Sequence, residues 1–259
     1  ARSLDKAGNY SVPYSSWPFV YDSSAPVSAV VFPARGSTIS SLPNITGTMA
    51  DQPFVNPAVV RRMGVLVRNL TDGTYWPGVA PWVVGYSTMS SDIVQVQVWS
   101  SSWNVVLTKL PTLVSGNSYY ISAAGTDDTP GPGNVELYGG PFFSTFTYDD
   151  TPPTSVIAMP VDANYYRTMA SFSGSSSDFV GVSTISLNVQ NTSIASPNCY
   201  DAAAKTFTLA CSNPASWFKA QGSTASWTYT FSPQPWTRDN TYIVRSSATD
   251  MALSAQVAV

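Results

Sequence analysis

The sequence predicts an all-β protein built as two tandem β-sandwich modules, and three observations carry that expectation. The chain repeats itself once along most of its length. Apolar and polar residues alternate over short stretches, the period of half-buried strands. The composition disfavours helix, since one glutamate, Glu136, and four lysines stand against abundant Ser, Thr, Val and Tyr and 20 prolines. Charged residues make up only 10% of the chain, against roughly 25% in an average soluble domain. A hydrophobic content of 44%, with 13% aromatic, is nevertheless enough to build cores.

The repeat opens where YDSSAPVSAVVFP (21–33) and YDDTPPTSVIAMP (148–160) align at an offset of 127. Tyr21/Tyr148, Asp22/Asp149, Pro26/Pro153, Ser28/Ser155 and Pro33/Pro160 match there. Without a gap the same offset reaches LPNITGTMAD (42–51) and MASFSGSSSD (169–178), placing Gly47 on Gly174 and Asp51 on Asp178. It falls to 122 where MGVLVRN (63–69) meets ISLNVQN (185–191). It is 124 at Trp103 and Trp227, and 123 where GNSYYISAAGTD (116–127) meets DNTYIVRSSATD (239–250). Small length changes between constant blocks are what loops of unequal length between fixed strands leave behind.

Strands are expected at MGVLVRN, IVQVQVW (93–99), ISLNVQN, WNVVL (103–107) and WTYTF (227–231), with Gly, Pro, Asn and Ser clusters between them. DAAAKTF (201–207) is the sole helix candidate and is short. Seven or so strands in each copy of about 125 residues indicate a sandwich. Its tryptophans are then expected mainly as core pillars, with a sugar platform as the alternative. Residues 51–59, DQPFVNPAV, predict a longer loop in the first copy than the second copy has.

Module 1 is assigned to residues 23–150 and module 2 to 151–259. Residues 1–22 read as the closing strand of a preceding or neighbouring module, because LDKAGN (4–9) and YSVPYSSWPFVYD (10–22) look like a module end. Val259 stands nine residues past Asp250, whereas the first copy runs 21 residues from Asp127 to Tyr148, so a last strand of module 2 is not expected within the chain. Two explanations stay open. Residues 1–22 complete a sandwich in a neighbouring copy by strand addition, or the chain is a slice of a longer array.

DDTPPTSVIAMP, followed by SFSGSSSDFVGVSTISLNVQN, resembles bacterial immunoglobulin-like repeats, with Asp178-Phe179-Val180-Gly181-Val182 as the Asp-x-x-Gly-Val turn. TYIVRSSATDMA resembles their closing strand. The resemblance implies Ig-like sandwiches strung into extracellular or cell-surface arrays: adhesins, surface layers, filaments or spacers of secreted enzymes. The partners it implies are copies of the chain head to tail, flanking repeats, or a surface glycan or protein ligand. Ligand contact would fall to the long first-copy loop and to Trp76 or Trp82 in YWPGVAPW.

Chemistry is sparse. With no histidine, every Ser-His-Asp, Cys-His and His-metal arrangement is excluded. Glu136 lies in TPGPGNVELYGGP, more like a loop than a catalytic strand, and no nucleotide or hydrolase motif is present. No enzyme and no catalytic residue is therefore expected. A net charge of -3 offers no basic face to nucleic acid, and Arg61, Arg62 and Arg68 read as exposed strand positions. No apolar run approaches the roughly 18 residues of a membrane span, so no membrane insertion is expected. Ala1-Arg2-Ser3-Leu4 does not open a signal peptide.

Cys199 and Cys211, twelve apart, suit a disulfide across a hairpin in an oxidising compartment, two buried thiols being the alternative. No cofactor is expected beyond calcium, for which Asp127, Asp149, Asp150 and Asp178 supply hard oxygens near the module joints. Aspartate is equally an ordinary turn residue. Asn9, Asn44, Asn69 and Asn191 head glycosylation sequons.

Overall fold

The computed structural model describes residues 2–12, 16–52, 58–87, 89–90, 96–98, 101–105, 107–222 and 225–252. Among the described residues ten strands lie in module 1: β1 (Val27–Phe32), β2 (Ser37–Ile39), β3 (Thr46–Ala50), β4 (Val60–Asn69), β5 (Tyr75–Trp76), β6 (Met89–Ser90), β7 (Val96–Val98), β8 (Ser102–Val105), β9 (Ser118–Asp127) and β10 (Ser144–Tyr148). Module 2 contributes β11 (Thr154–Met159), β12 (Ser171–Ser177), β13 (Val182–Asn191), β14 (Cys199–Asp201), β15 (Thr206–Leu209), β16 (Trp217–Lys219), β17 (Gln221–Gly222), β18 (Ser226–Thr230) and β19 (Tyr242–Asp250).

Each module is two sheets around its own core. In module 1 the order β1-β3-β8-β7 faces β2-β10-β9-β4-β5, with β6 also on β4. In module 2, β11-β12-β18-β17 faces β15-β14-β13-β16, with β19 on the other side of β13. The repeat equates β1 with β11, β3 with β12, β4 with β13, β8 with β18 and β9 with β19. MGVLVRN, ISLNVQN and WTYTF fall on β4, β13 and β18, and WNVVL is strand as far as Val105 with a 3-10 turn from Leu107. DAAAKTF spans the β14–β15 hairpin, its turn at 202–205 giving Lys205 a positive φ of 59°. Of IVQVQVW only Val96–Val98 falls within the described residues. Most of the 51–59 loop lies outside them.

The cores explain the repeated residues. Trp103 on β8 pairs across to Gly47 on β3, and Trp227 on β18 pairs to Gly174 on β12. Both indoles are 1% exposed. Their Nε1 atoms donate to the equivalent carbonyls of Thr48 and Ser175. Each indole lies so close over its glycine that a Cβ would overlap both the ring and the carbonyl of Ala29 or Val156. Glycine is required at both positions for this contact, and conformational freedom plays no part.

Tyr119 and Tyr242 form the second repeated device. Each hydroxyl accepts the backbone N–H five residues upstream, from Val114 and Thr237 respectively, the tyrosine corner of such sandwiches. Buried Asn69 and Asn191 each accept the N–H two residues on, from Thr71 and Ser193. Those two sequons are therefore closed to a glycan. The Cys199–Cys211 disulfide is present, with Cα atoms 5.1 Å apart, and fastens β14 to the chain beyond β15.

Candidate functional site: acidic triads at the joints

Three carboxylates meet at the same place in both modules. Asp22, Asp51 and Asp127 bring one oxygen each within 4.8 Å of one another, as do Asp149, Asp178 and Asp250. These are equivalent positions of the repeat. Their placement follows from the strands: Asp51 and Asp178 are the residues immediately after β3 and β12, while Asp127 and Asp250 end β9 and β19. Asp22 and Asp149 lead into the first strand of the module concerned. Each triad thus joins both sheets of a module to the segment that enters it.

Hydrogen bonds hold the carboxylates in place. Asp22 Oδ1 accepts from the Ser24 N–H and Asp149 Oδ1 from the Thr151 N–H, the same two-residue turn. Ser115 Oγ also donates to Asp149 Oδ1. Asp51 Oδ2 takes the Ala58 N–H, and Asp178 Oδ2 the Val180 N–H. Asp22 Oδ2, Asp51 Oδ1 and Asp149 Oδ2 remain buried without a hydrogen-bond partner. Asp51 is 5% exposed and Asp149 is 0%.

The electrostatics bear the mark of crowding. Burial raises the Asp51 carboxyl, and the charges of Asp22 and Asp127 add to the rise. Burial likewise raises Asp178, with Asp149 and Asp250 contributing. For Asp127 burial is again the largest influence, but bonds from the Thr129 hydroxyl and N–H and from the Asn134 N–H and amide outweigh it and hold the group below its ordinary value.

The four aspartates named from sequence are therefore divided. Asp127 belongs to one triad, Asp149 and Asp178 to the other. Asp150 joins neither: its Oδ2 accepts from the Tyr148 hydroxyl and its N–H donates to Ser115 Oγ, because the chain direction points it away from Asp149. Asp22, Asp51 and Asp250 were not among the candidates, although the repeat alignment already paired them with residues that were.

The two tryptophans expected to contact ligand are spent elsewhere. Trp76 is 5% exposed and donates to the Lys109 carbonyl, and Trp82 is half-buried, packed on the core and donating to the Thr112 carbonyl. Tyrosines take their place at the surface: Tyr75, Tyr86, Tyr120 and Tyr138 line a cleft of about 610 Å³ on module 1. Glu136 serves the fold, its Oε1 accepting from the Ser28 N–H and its Oε2 from the Gly125 N–H, so that it ties β1 to β9.

An edge differs between the modules. In module 1, β10 lies between β9 and β2, antiparallel to the first and parallel to the second. In module 2, β13 is the one strand paired with β19 among the described residues, and residues 164–166, equivalent to β2, form no strand. Residues 16–22 are likewise outside any strand. Within residues 1–22 the pairing described is internal, a Leu4–Tyr10 bridge closed by Asp5, which accepts from the Ala7 and Asn9 N–H groups.

Fold and site together define a tandem β-sandwich protein, each of whose modules carries an acidic triad where the chain enters it. No protein-family profile and no curated protein matches the sequence. Among solved structures the chain is similar to the FN1–FN3 domains of chicken CNTN1, at 12% identity and a TM-score of 0.40, covering 100% of this chain and 71% of that one. It is also similar to the fibronectin(III)-like modules of Clostridium thermocellum CbhA, at 10% identity and a TM-score of 0.36, covering 90% of each chain. At such values the sheet topology described above remains the ground for the fold assignment.

Proposed function

We propose that the chain is a structural module of an extracellular repeat array or filament, of the bacterial Ig-like kind, joined head to tail by addition of residues 17–21 to β19 of a second copy. The observation that carries this reading is the match between 16–22 (SWPFVYD) and 143–149 (FSTFTYD), which places Trp17, Phe19 and Tyr21 on Ser144, Phe146 and Tyr148. Ser144 and Phe146 are buried in module 1, and Tyr148 packs on its core. Trp17, Phe19 and Tyr21 are instead 89%, 87% and 81% exposed.

The β9–β10 register transfers directly. Phe19 would face Tyr242 as Phe146 faces Tyr119, and Trp17 would face Val244 as Ser144 faces Ile121. A strand placed so would lie along the side of β19 away from β13 and cover apolar surface in one step. The contact is heterologous and does not close, so it propagates. The disulfide and the resemblance support an oxidising, extracellular setting, and the absence of histidine supports a non-enzymatic role.

The reading is tested on the full chain by light scattering over a concentration series, with negative-stain microscopy. The expected result is length-dispersed oligomers that Phe19→Asp dissociates and that a peptide of residues 16–23 caps. A strictly monomeric chain at high concentration, with no binding of that peptide, removes the strand-addition reading.

The tyrosine-lined cleft favours a second reading, an adhesive module that stacks a glycan. Saturation-transfer NMR with oligosaccharides would detect it, and Tyr86→Ala would abolish the signal.

A further inference from the structure

We propose that each acidic triad holds a calcium ion, two per chain, so that every joint is clamped by a cation. The reading rests on the module joints described above, but ion binding itself needs only the single chain. Two triads arise at equivalent positions, from sequences that otherwise differ at most residues. Turn chemistry explains one oxygen of Asp22, Asp51 and Asp149, the one each gives to a backbone N–H. It does not explain the second oxygen of each, which is buried and has no donor. In carboxylates 5% and 0% exposed, as Asp51 and Asp149 are, such an oxygen is left without water or partner unless a cation supplies the charge. Among the described residues, Asp22, Asp51 and Asp127 form no ion pair with Lys or Arg.

The geometry suits calcium. Oxygens on one calcium lie at about 2.4 Å from it, so ligands on opposite sides are up to about 4.8 Å apart. The triad oxygens fall within that span. Calcium accepts an irregular set of carboxylates, carbonyls and water, whereas magnesium keeps several waters and a strict octahedron. Because Asp22 and Asp149 sit on the entering segment, the ion would bind that segment to both sheets of the module it enters. In an array the same ion would fix the end of the donated strand, residues 17–21, which runs directly into Asp22.

The full chain, stripped with EDTA and desalted, is titrated with calcium chloride by calorimetry. Two sites are expected, one lost in Asp51→Asn, the other in Asp178→Asn, and both in the double variant. Thermal unfolding supplies a second readout, with a sign that a purely structural role would not give. In EDTA the Asn variants should melt above the parent, because repulsion is relieved. In calcium the parent should melt above the variants, by several degrees once the ion exceeds its Kd about a hundredfold. No calcium heat with no shift in melting overturns the proposal, as does binding that survives the double variant. Equal binding of magnesium overturns the assignment to calcium. Phe19→Asp, which should not assemble, should still bind two ions, so failure of the assembly reading and failure of the ion reading are seen separately.

Discussion

In module 1, Tyr119 is fully buried under Phe146 of β10, the rings 5.4 Å apart and nearly parallel. In module 2, the equivalent Tyr242 keeps its corner hydrogen bond yet is only half-buried, and Ile243 beside it is 42% exposed. Residues 37–39 form a strand because β10 is there to pair with, whereas residues 164–166 form none, and Tyr165 is fully exposed. The two copies share their cores, their Trp-on-Gly contacts and their acidic triads. They part at the edge beside β9 and β19, where the presence of β10 goes with the deeper burial of the same strand.

The comparison can be broken or sharpened by measurement. The largest effect should come from the shared pillars. Trp103→Ala and Trp227→Ala should each cost about 3–5 kcal/mol, each in its own module, seen as one shifted step in a two-step denaturant curve. A single concerted loss would mean that the modules do not fold independently.

Next comes a feature of one module alone. Reducing Cys199–Cys211 should destabilise module 2 by about 3 kcal/mol and leave the module 1 step in place, which calorimetry with and without reductant would reveal.

The smallest effect is the sharpest for the edge. Tyr119→Phe and Tyr242→Phe each remove one hydrogen bond, worth about 1 kcal/mol. The loss should be greater at buried Tyr119, and the difference should narrow when the peptide of residues 16–23 is added.

At neutral pH a last contrast is silent. Burial, with Tyr229 beside it, pushes the Tyr200 phenol up to about 12. Since the folded value exceeds the ordinary 10, folded module 2 holds a proton that the unfolded chain gives up. The stability is complete below pH 10 and is lost as pH rises toward 12. The phenolate absorbance of the parent minus that of Tyr200→Phe, followed against pH beside circular dichroism, should show this phenol ionising only as module 2 unfolds.

Much of this was legible in the sequence. The period-two stretches named the strands, and the 127 offset aligned Gly47 with Gly174 and Asp51 with Asp178. What escaped was grouping. Asp149 and Asp150 are neighbours in the chain but face different partners, whereas Asp22 and Asp127, 105 residues apart, share a site. The resemblance implies ligand contact by Trp76 or Trp82, yet Trp76 lies in the module 1 core and Trp82 packs against it. The use of Glu136 as a bridge between β1 and β9 left no local signal, since its partners are backbone N–H groups that any sequence would provide.

By itself the sequence determined that the chain is all-β, doubled, and without histidine chemistry, because strand period, repeat offset and residue inventory are properties of the linear string. Only the tertiary structure decided which aspartates crowd together, which aromatics are spent in a core, and that among the described residues β13 is the strand paired with β19. Those depend on distances between strands far apart in sequence, and a one-dimensional pattern does not carry such distances.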